Sequence, residues 1–357
     1  MTTDSKNIYI PGEQLEQFTA SAFEKVGLPA EDARKIAALM AEADLQGSDG
    51  HGIIRLPMYI QRILDGGINI HPDIRIVEEK AAMAVVDGDN GMGHLVVSKV
   101  VEIAIEKART CGVAWVGCRA SNHAGPASLY ARMPLAHDMI GLYFAVGNAN
   151  HMPPWGGMDM LLSTNPIAAA IPAGDEPPVV LDMATTVAAY GKVKAKAKRG
   201  EQMPVGWMID RQGQPLTDPN RSSEGFLLPI GDHKGYGLAL IVGLLAGTLQ
   251  GGAMGKDVVD FNVDKNTPTN TGQAILVIDL AAFGGAGPFK AAVDVLVRDI
   301  RASERLPGVE RIWLPGEQSH GRREDYAQSG VPVAPTLVDD LDRLAQRLGI
   351  TPVQRPA

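Results

Sequence analysis

The feature that most constrains the fold is a change of periodicity near residue 75. Before it, apolar residues recur with a helical period. Leu15, Phe18, Ala22, Phe23 and Val26 do so in Glu13 to Val26, and Ala33, Ile36, Ala37, Met40 and Leu45 in a second stretch reaching Gln46. Gly27 ends the first and Pro29 suits the start of the second. A third helix is expected from His51, carrying Leu56, Tyr59, Ile60 and Ile63 and stopped by Asp65-Gly66-Gly67. Beyond it, short apolar runs alternate with helical stretches. Strands are expected at Ala82–Val86, Val113–Cys118, Gly141–Val146, Val179–Leu181, Pro204–Asp210 and Ala274–Asp279. Helices are expected at Leu95–Arg109, Asp232–Gln250, Ala291–Ala302 and Leu337–Leu348. The chain therefore reads as an α/β protein with a small helical unit in front.

The 357 residues suffice for one large core or two to three domains. With 33 basic against 41 acidic residues the net charge is -8, which gives no reason to expect nucleic acid or membrane surfaces as partners. The longest apolar run, Leu238 to Leu249, is too short to span a bilayer and is broken by Gly243 and Gly247. The start, MTTDSKNIYIPGE, lacks the apolar core of a secretion signal. Two cysteines, Cys111 and Cys118, lack zinc-pair spacing and read as reduced thiols. A cytoplasmic protein is expected. The histidines are scattered without metal-ligand spacing, so no metal is expected.

Dinucleotide fingerprints are missing. Gly91-Met92-Gly93 comes nearest to G-x-G-x-x-G, but Val96 stands where the third glycine belongs, and Gly255-Lys256 is not part of a phosphate loop. Any nucleotide must bind otherwise than on a Rossmann unit.

Several runs carry candidate chemistry. His51 sits between Gly50 and Gly52, with Arg55 one helical turn on and Tyr59 a turn further. A histidine shuttles protons near neutrality, and a guanidinium grips a carboxylate through two bonds. Together they suit an enzyme acting on a small carboxylic acid, although a turn with a capping histidine has the same composition. Ser121-Asn122-His123-Ala124-Gly125-Pro126 follows a strand and could face an anion or merely cap a helix. Asn148-Ala149-Asn150 and Ser163-Thr164-Asn165-Pro166 bracket Pro153 to Gly157, offering polar groups on tight loops that turn chemistry alone also explains. Asp182-Met183-Ala184 ends a buried strand, where an acid serves a ribose or a cap. Lys234, in Gly231-Asp232-His233-Lys234-Gly235, opens a long apolar helix against the helix dipole, which an anion would relieve. The alternating Lys192, Lys194, Lys196, Lys198 and Arg199 read as a solvated strand or helix face.

In order, these runs resemble the non-Rossmann, second-type malate/L-lactate dehydrogenase family, which also holds L-sulfolactate, ureidoglycolate and diketogulonate enzymes and a cyclic-imine carboxylate reductase. The resemblance extends from the helix before His51 to Leu314-Pro315-Gly316-Glu317. It implies a mixed-sheet nucleotide-binding fold, NAD or NADP as hydride carrier, and a homodimer with the site near its interface. It also implies roles. His51 and His123 are the acid/base candidates. Arg55 holds the substrate carboxylate, with Tyr59, Asn148 and Thr164 in the substrate pocket. His123, Gly125, Asp182, Met183, Ala184, Lys234, Leu314, Pro315 and Gly316 meet the cofactor. The domain expectation is a helical unit, residues 1–75, packed with 315–357, and a central α/β domain, 76–314. The reaction implied is hydride exchange with C2 of a malate-, lactate- or sulfolactate-type 2-hydroxy acid, with the ureidoglycolate, keto sugar acid and cyclic-imine reactions as alternatives. The family commonly has a serine before its catalytic histidine; Gly50 stands there in this chain. That change disfavours imine reduction through a serine-histidine relay and leaves a non-catalytic metabolite binder as an alternative from another class.

Overall fold

The computed structural model describes residues 7–355, with the side chains of Lys198 and Arg199 outside the description. The expected absence of a leader rests partly on residues 1–6, which also lie outside it. At the front, β1 (Ile8–Ile10) precedes the helices α1 (Gly12–Lys25), α2 (Ala30–Leu45) and α3 (Leu56–Leu64). A 3-10 turn, Ile53–Arg55, runs directly into α3.

The centre is a seven-stranded sheet. Its strands are β2 (Arg75–Lys80), β3 (Met83–Asp87), β4 (Val113–Ser121), β5 (Met139–Ala145), β6 (Ile167–Ile171) and β7 (Val179–Met183), joined by β10 (Thr271–Asp279). The spatial order is β2-β3-β4-β10-β5-β6-β7. Only β3 and β4 pair in parallel; every other neighbouring pair is antiparallel. The helix α4 (Gly93–Cys111) makes the parallel crossover, and the short α5 (Ser128–Arg132) follows β4. This mixed sheet differs from the parallel sheet of a Rossmann unit and accounts for the missing glycine fingerprint. Beyond it come α6 (Tyr190–Arg199), the hairpin β8 (Met208–Asp210) with β9 (Gly225–Leu227), and α7 (His233–Ala246). The chain then closes with α8 (Ala286–Ala302), α9 (Glu317–Ser329), β11 (Val331–Val333) and α10 (Pro335–Leu348).

Two buried clusters organise the packing. One joins Leu15, Phe23, Ile36, Tyr59 and Ile60 of the front helices to Val331, Val338, Leu341 and Leu348 at the other end of the chain. The antiparallel pairing of β1 with β11 seals the same junction. The second lies between α4 and the sheet, through Val96, Val100, Ala104, Val116, Cys118, Tyr143 and Ile275.

The departures from sequence have local reasons. The strands β2 (Arg-Ile-Val-Glu-Glu-Lys) and β6 (Ile-Ala-Ala-Ala-Ile) lack a strong apolar alternation, because one is a largely exposed edge and the other is alanine-rich. α9 carries no apolar stripe and buries no residue. The Asp232–Gln250 helix stops at Ala246, since Gly247 turns the backbone into a 3-10 segment. The alternating lysines lie on a helix, α6. No helix among the described residues is long and apolar enough to cross a membrane.

Gly316 fixes the outer edge of the sheet. Its φ is +83°, and a Cβ there would stand 2.7 Å from the Val180 carbonyl oxygen. Pro315, one residue earlier, accepts the Val180 N–H at 3.0 Å. Gly316→Ala combines left-handed strain with a backbone clash, and is expected to cost about 1–3 kcal/mol in urea unfolding. Wild-type stability in that variant would show that this edge yields freely.

Candidate active site

The site is assembled where β3 and β4 end. The buried Asn122, directly after β4, donates its amide N–H groups to the carbonyls of Asn90 (3.1 Å) and Gly91 (2.9 Å). This clamps the turn before α4 onto the loop after β4. Gly93 is needed there, because a Cβ would lie 2.2 Å from the Asn122 carbonyl oxygen. The clamp sets His94, first turn of α4, beside His123.

His51 comes from the opposite side, on the loop ending α2. Its ring stacks on His123 at 5.4 Å between centroids and 7° between planes. Tyr59, fully buried on α3, places its hydroxyl 2.5 Å from His123 Nδ1 and stands edge-on to His94 at 5.6 Å. Phe261 stacks on the other side of the cluster, 5.5 Å from His123, and its N–H is held by the Asn148 carbonyl at 2.9 Å. Arg55 donates from Nε to the Gly50 carbonyl at 2.7 Å and from Nη1 to Asn262 Oδ1 at 3.3 Å. It makes no ion pair with an acid among the described residues, so its positive charge is available to an anion.

Burial dominates the electrostatics. It pushes His51 down to about 4 and His94 down to about 3, with Arg55 adding to the first and His51 to the second. His123 is likewise lowered well below its ordinary value by burial, then by Arg55, His51 and His94. All three rings are therefore neutral in the free protein near pH 7, and Arg55 supplies the positive charge.

Sequence reasoning missed several supporting residues. Asp44 is a buried acid on α2, and its carboxylate accepts the Ile53 N–H at 2.7 Å. It acts as a cap from a neighbouring helix for the turn entering α3, and it fills the space where Gly52 has no side chain. Burial raises Asp44 to about 7. Arg62, fully buried, holds the carbonyls of Asp264, Thr267 (2.9 Å) and Gly67 (3.3 Å), and so fastens the loop carrying Phe261 and Asn262. For Asp44 and Arg62 the available signal was a charge inside an otherwise apolar helical stretch. For His94 it was the adjacent Gly91-Met92-Gly93 turn. Phe261 and Asn262 had none.

The remaining candidates lie outside this cluster, at strand ends, in loops and at the start of α7. Asp182 Oδ2 accepts the Ser128 N–H at 2.8 Å, five residues past His123. Thr164 accepts from both the N–H and the hydroxyl of Thr185, each at 2.9 Å, and Thr185 in turn accepts the Ile230 N–H just before α7. Lys234, on the exposed first turn of α7, has no side-chain partner among the described residues. Leu314, Pro315 and Gly316 line a cleft of about 420 Å³ with Leu181, Trp313 and Arg322. Asn148 donates to Thr271 Oγ1 at 2.6 Å, and Thr164 Oγ1 lies near neighbouring Gly147. The half-exposed Trp313 beside this cleft and the exposed Lys234 are groups able to meet a ring and an anion respectively. No group of acids, histidines and cysteines suited to a metal occurs among the described residues.

The residue pattern that defines the malate/L-lactate dehydrogenase family matches residues 10–342. A malate dehydrogenase from Pyrococcus abyssi is 38% identical over 97% of each chain. An L-sulfolactate dehydrogenase from Methanocaldococcus jannaschii is 37% identical over 95% of this chain and 96% of its own. The solved malate dehydrogenase of Pyrococcus horikoshii OT3 superposes with a TM-score of 0.90 at 34% identity, covering 98% of both chains. A nicotinamide-dependent dehydrogenase of small hydroxy acids is the class that the fold and its relatives define. The chain belongs to the malate/L-lactate dehydrogenase family.

The neutral histidines have a measurable consequence. The unfolded chain takes up a proton on His94 near pH 6.5, while the folded chain resists until about 3. Stability from this ring is complete above pH 6.5 and is lost as pH falls through that window, by up to about 1.4 kcal/mol per pH unit. Asp44, raised in the folded state, acts with the opposite sign over pH 3.8 to 7. Comparing urea unfolding of wild type and His94→Leu between pH 4.5 and 6.5 separates the two, and the variant is expected to lose less stability per pH unit. Equal slopes would mean that His94 is not held neutral.

Proposed function

We propose that this chain catalyses reversible hydride exchange between a nicotinamide and C2 of a malate-type 2-hydroxy acid, with lactate- and sulfolactate-type acids as the neighbouring choices. The observation that carries the reading is the His51–His123 stack beside Arg55. Two imidazoles face each other and a guanidinium lacks an acidic partner among the described residues, all held by α2, α3 and the end of β4. Arg55 would bind the substrate carboxylate through two parallel bonds, fixing C2 in one orientation. Asn148 and Thr164 would line the pocket beside it. Tyr59, fully buried, reaches the substrate only through His123. In the oxidising direction an imidazole accepts the hydroxyl proton, and in the reducing direction the imidazolium returns it, a contribution of roughly a hundred- to ten-thousand-fold.

The cofactor supplies the hydride chemistry at its nicotinamide ring. His123, Gly125, Asp182, Met183, Ala184, Lys234, Leu314, Pro315 and Gly316 are the residues proposed to hold it, with Lys234 offering charge for its phosphates. A Cβ at Gly50 would meet nothing within 4 Å, so the position is open toward solvent or ligand. The missing hydroxyl there favours hydroxy-acid over imine chemistry. The reading places the protein in the cytoplasm and divides it into a helical unit, 1–75 with 315–357, and a central domain, 76–314.

A homodimer belongs to the same reading. Ile241, Leu244 and Leu249 in and after α7, and Val295, Leu296 and Ile300 on α8, leave large apolar side chains exposed. Apolar faces of this kind mark association surfaces. Light scattering on the purified chain is expected to give twice the 37.9 kDa chain mass. A mass of one chain at micromolar concentration would refute the dimer.

Turnover tests the main reading. With NADH and NADPH run separately against oxaloacetate, pyruvate, sulfopyruvate, diketogulonate and a cyclic-imine carboxylate, oxaloacetate is expected to be reduced fastest. His51→Ala is expected to lower kcat by at least a hundredfold with cofactor affinity unchanged. Arg55→Lys is expected mainly to raise KM, because an ammonium cannot reproduce the planar fork. Near-normal turnover in His51→Ala, or an unchanged substrate response in Arg55→Lys, would remove that residue from its role.

A further inference from the structure

The hydrogen bonds at His123 define which of its nitrogens carries the proton. Nδ1 faces the Tyr59 hydroxyl at 2.5 Å and, more distantly, the Gly125 N–H at 3.4 Å. A backbone N–H can only donate. Two donors converging on one ring nitrogen require a lone pair there. The Tyr59 ring is wedged between His94 at 5.6 Å and Phe261 at 5.8 Å, so its hydroxyl direction is fixed by packing.

We propose that Tyr59 is a positioning residue that sets the tautomer of His123, keeping the ring proton on Nε2 as a hydrogen-bond donor for the substrate's C2 oxygen. Burial raises the Tyr59 phenol well above its usual value, so the hydroxyl stays protonated and serves as donor. Resting on the function proposed above, this divides the labour of the two histidines. A neutral ring with its proton on Nε2 and its Nδ1 lone pair engaged has no nitrogen free to accept a proton. The base in the oxidising direction is then His51. As the alcohol is oxidised, the C2–H bond breaks with its electron pair leaving as hydride to the nicotinamide. The O–H bond also breaks, its proton going to His51. The C2–O double bond forms while the His123 Nε2–H holds the oxygen and keeps its own proton. In reverse, that N–H stabilises the developing oxyanion and His51 protonates it.

The test uses the full-length protein labelled with ¹⁵N-histidine, with the His123 signals assigned by their loss in His123→Gln. Long-range proton–nitrogen spectra at pH 7 are expected to show a pyridine-type nitrogen at Nδ1 and a pyrrole-type nitrogen at Nε2. In Tyr59→Phe, which keeps the ring and its packing, part of the population is expected to move to the Nδ1–H form. In the same variant kcat is expected to fall at least tenfold, with NADH affinity by fluorescence titration within twofold of wild type. A pyrrole-type Nδ1 in the wild-type spectrum overturns the proposal without any variant having to fold. An unchanged kcat in Tyr59→Phe overturns it as well. If wild type turned over no hydroxy acid, the proposed function would fail while the spectrum still decided the tautomer.

Discussion

The buried amide of Asn122 is the contact on which the site depends. It joins the end of β4 to the turn before α4, and further bonds from Thr269 and Gln273 lock it in place. Because β3 and β4 run in parallel, both strands deliver their following loops to the same end of the sheet. His94 and His123 are thereby brought together though 29 positions apart in the chain. The Gly91-Met92-Gly93 turn, which looks like a fragment of a nucleotide fingerprint, is here a spacer that lets two backbones approach. Gly93 admits the Asn122 carbonyl, and Gly91 the Pro72 ring, rather than a phosphate.

The second constraint is desolvation. Three imidazoles, a phenol and a phenylalanine ring pack into one cluster, and each ring excludes water from the others. The rings stay neutral as a result, while the Arg55 guanidinium at the edge of the cluster lies free of any acid among the described residues. A substrate carboxylate would enter a place with positive charge and little competing water, where electrostatic attraction is strong. The helical front of the chain supports this arrangement: α2 contributes Asp44, which holds the turn into α3, and α3 contributes Tyr59. The loop carrying His51 is thus held by the same packing that joins the two chain ends.

Much of the fold was legible in the sequence, because strongly periodic segments announce themselves. The helices α1, α2, α4 and α10 and the strands β3, β4, β5 and β10 all carry clear apolar patterns. What stayed hidden includes α9, whose polar residues show no apolar stripe, and the strands β1, β2, β6, β9 and β11, which are short, exposed or alanine-rich and are held by hydrogen bonds to a neighbouring strand. For the site, the Gly50-His51-Gly52 run and His123 were visible as residue types. Their stacking was not, since it depends on contacts between segments 72 residues apart. Phe261 carried no signal for the same reason, whereas Asp44 and His94 were marked only indirectly, by a charge within a helical stretch and by the neighbouring glycine turn.

By itself the sequence determined the α/β class, the absence of a Rossmann fingerprint, the family and the residue types available for proton transfer and carboxylate binding. Those properties follow from local periodicity and ordered motifs, which a chain displays before it folds. Tertiary structure alone decided the strand order and that β3 and β4 are the parallel pair, that His51, His94 and His123 form one neutral cluster, and that the Tyr59 hydroxyl lies against one particular nitrogen of His123. Those are consequences of burial and of hydrogen bonds between distant segments, and neither exists until the sheet and the helical front have closed on each other.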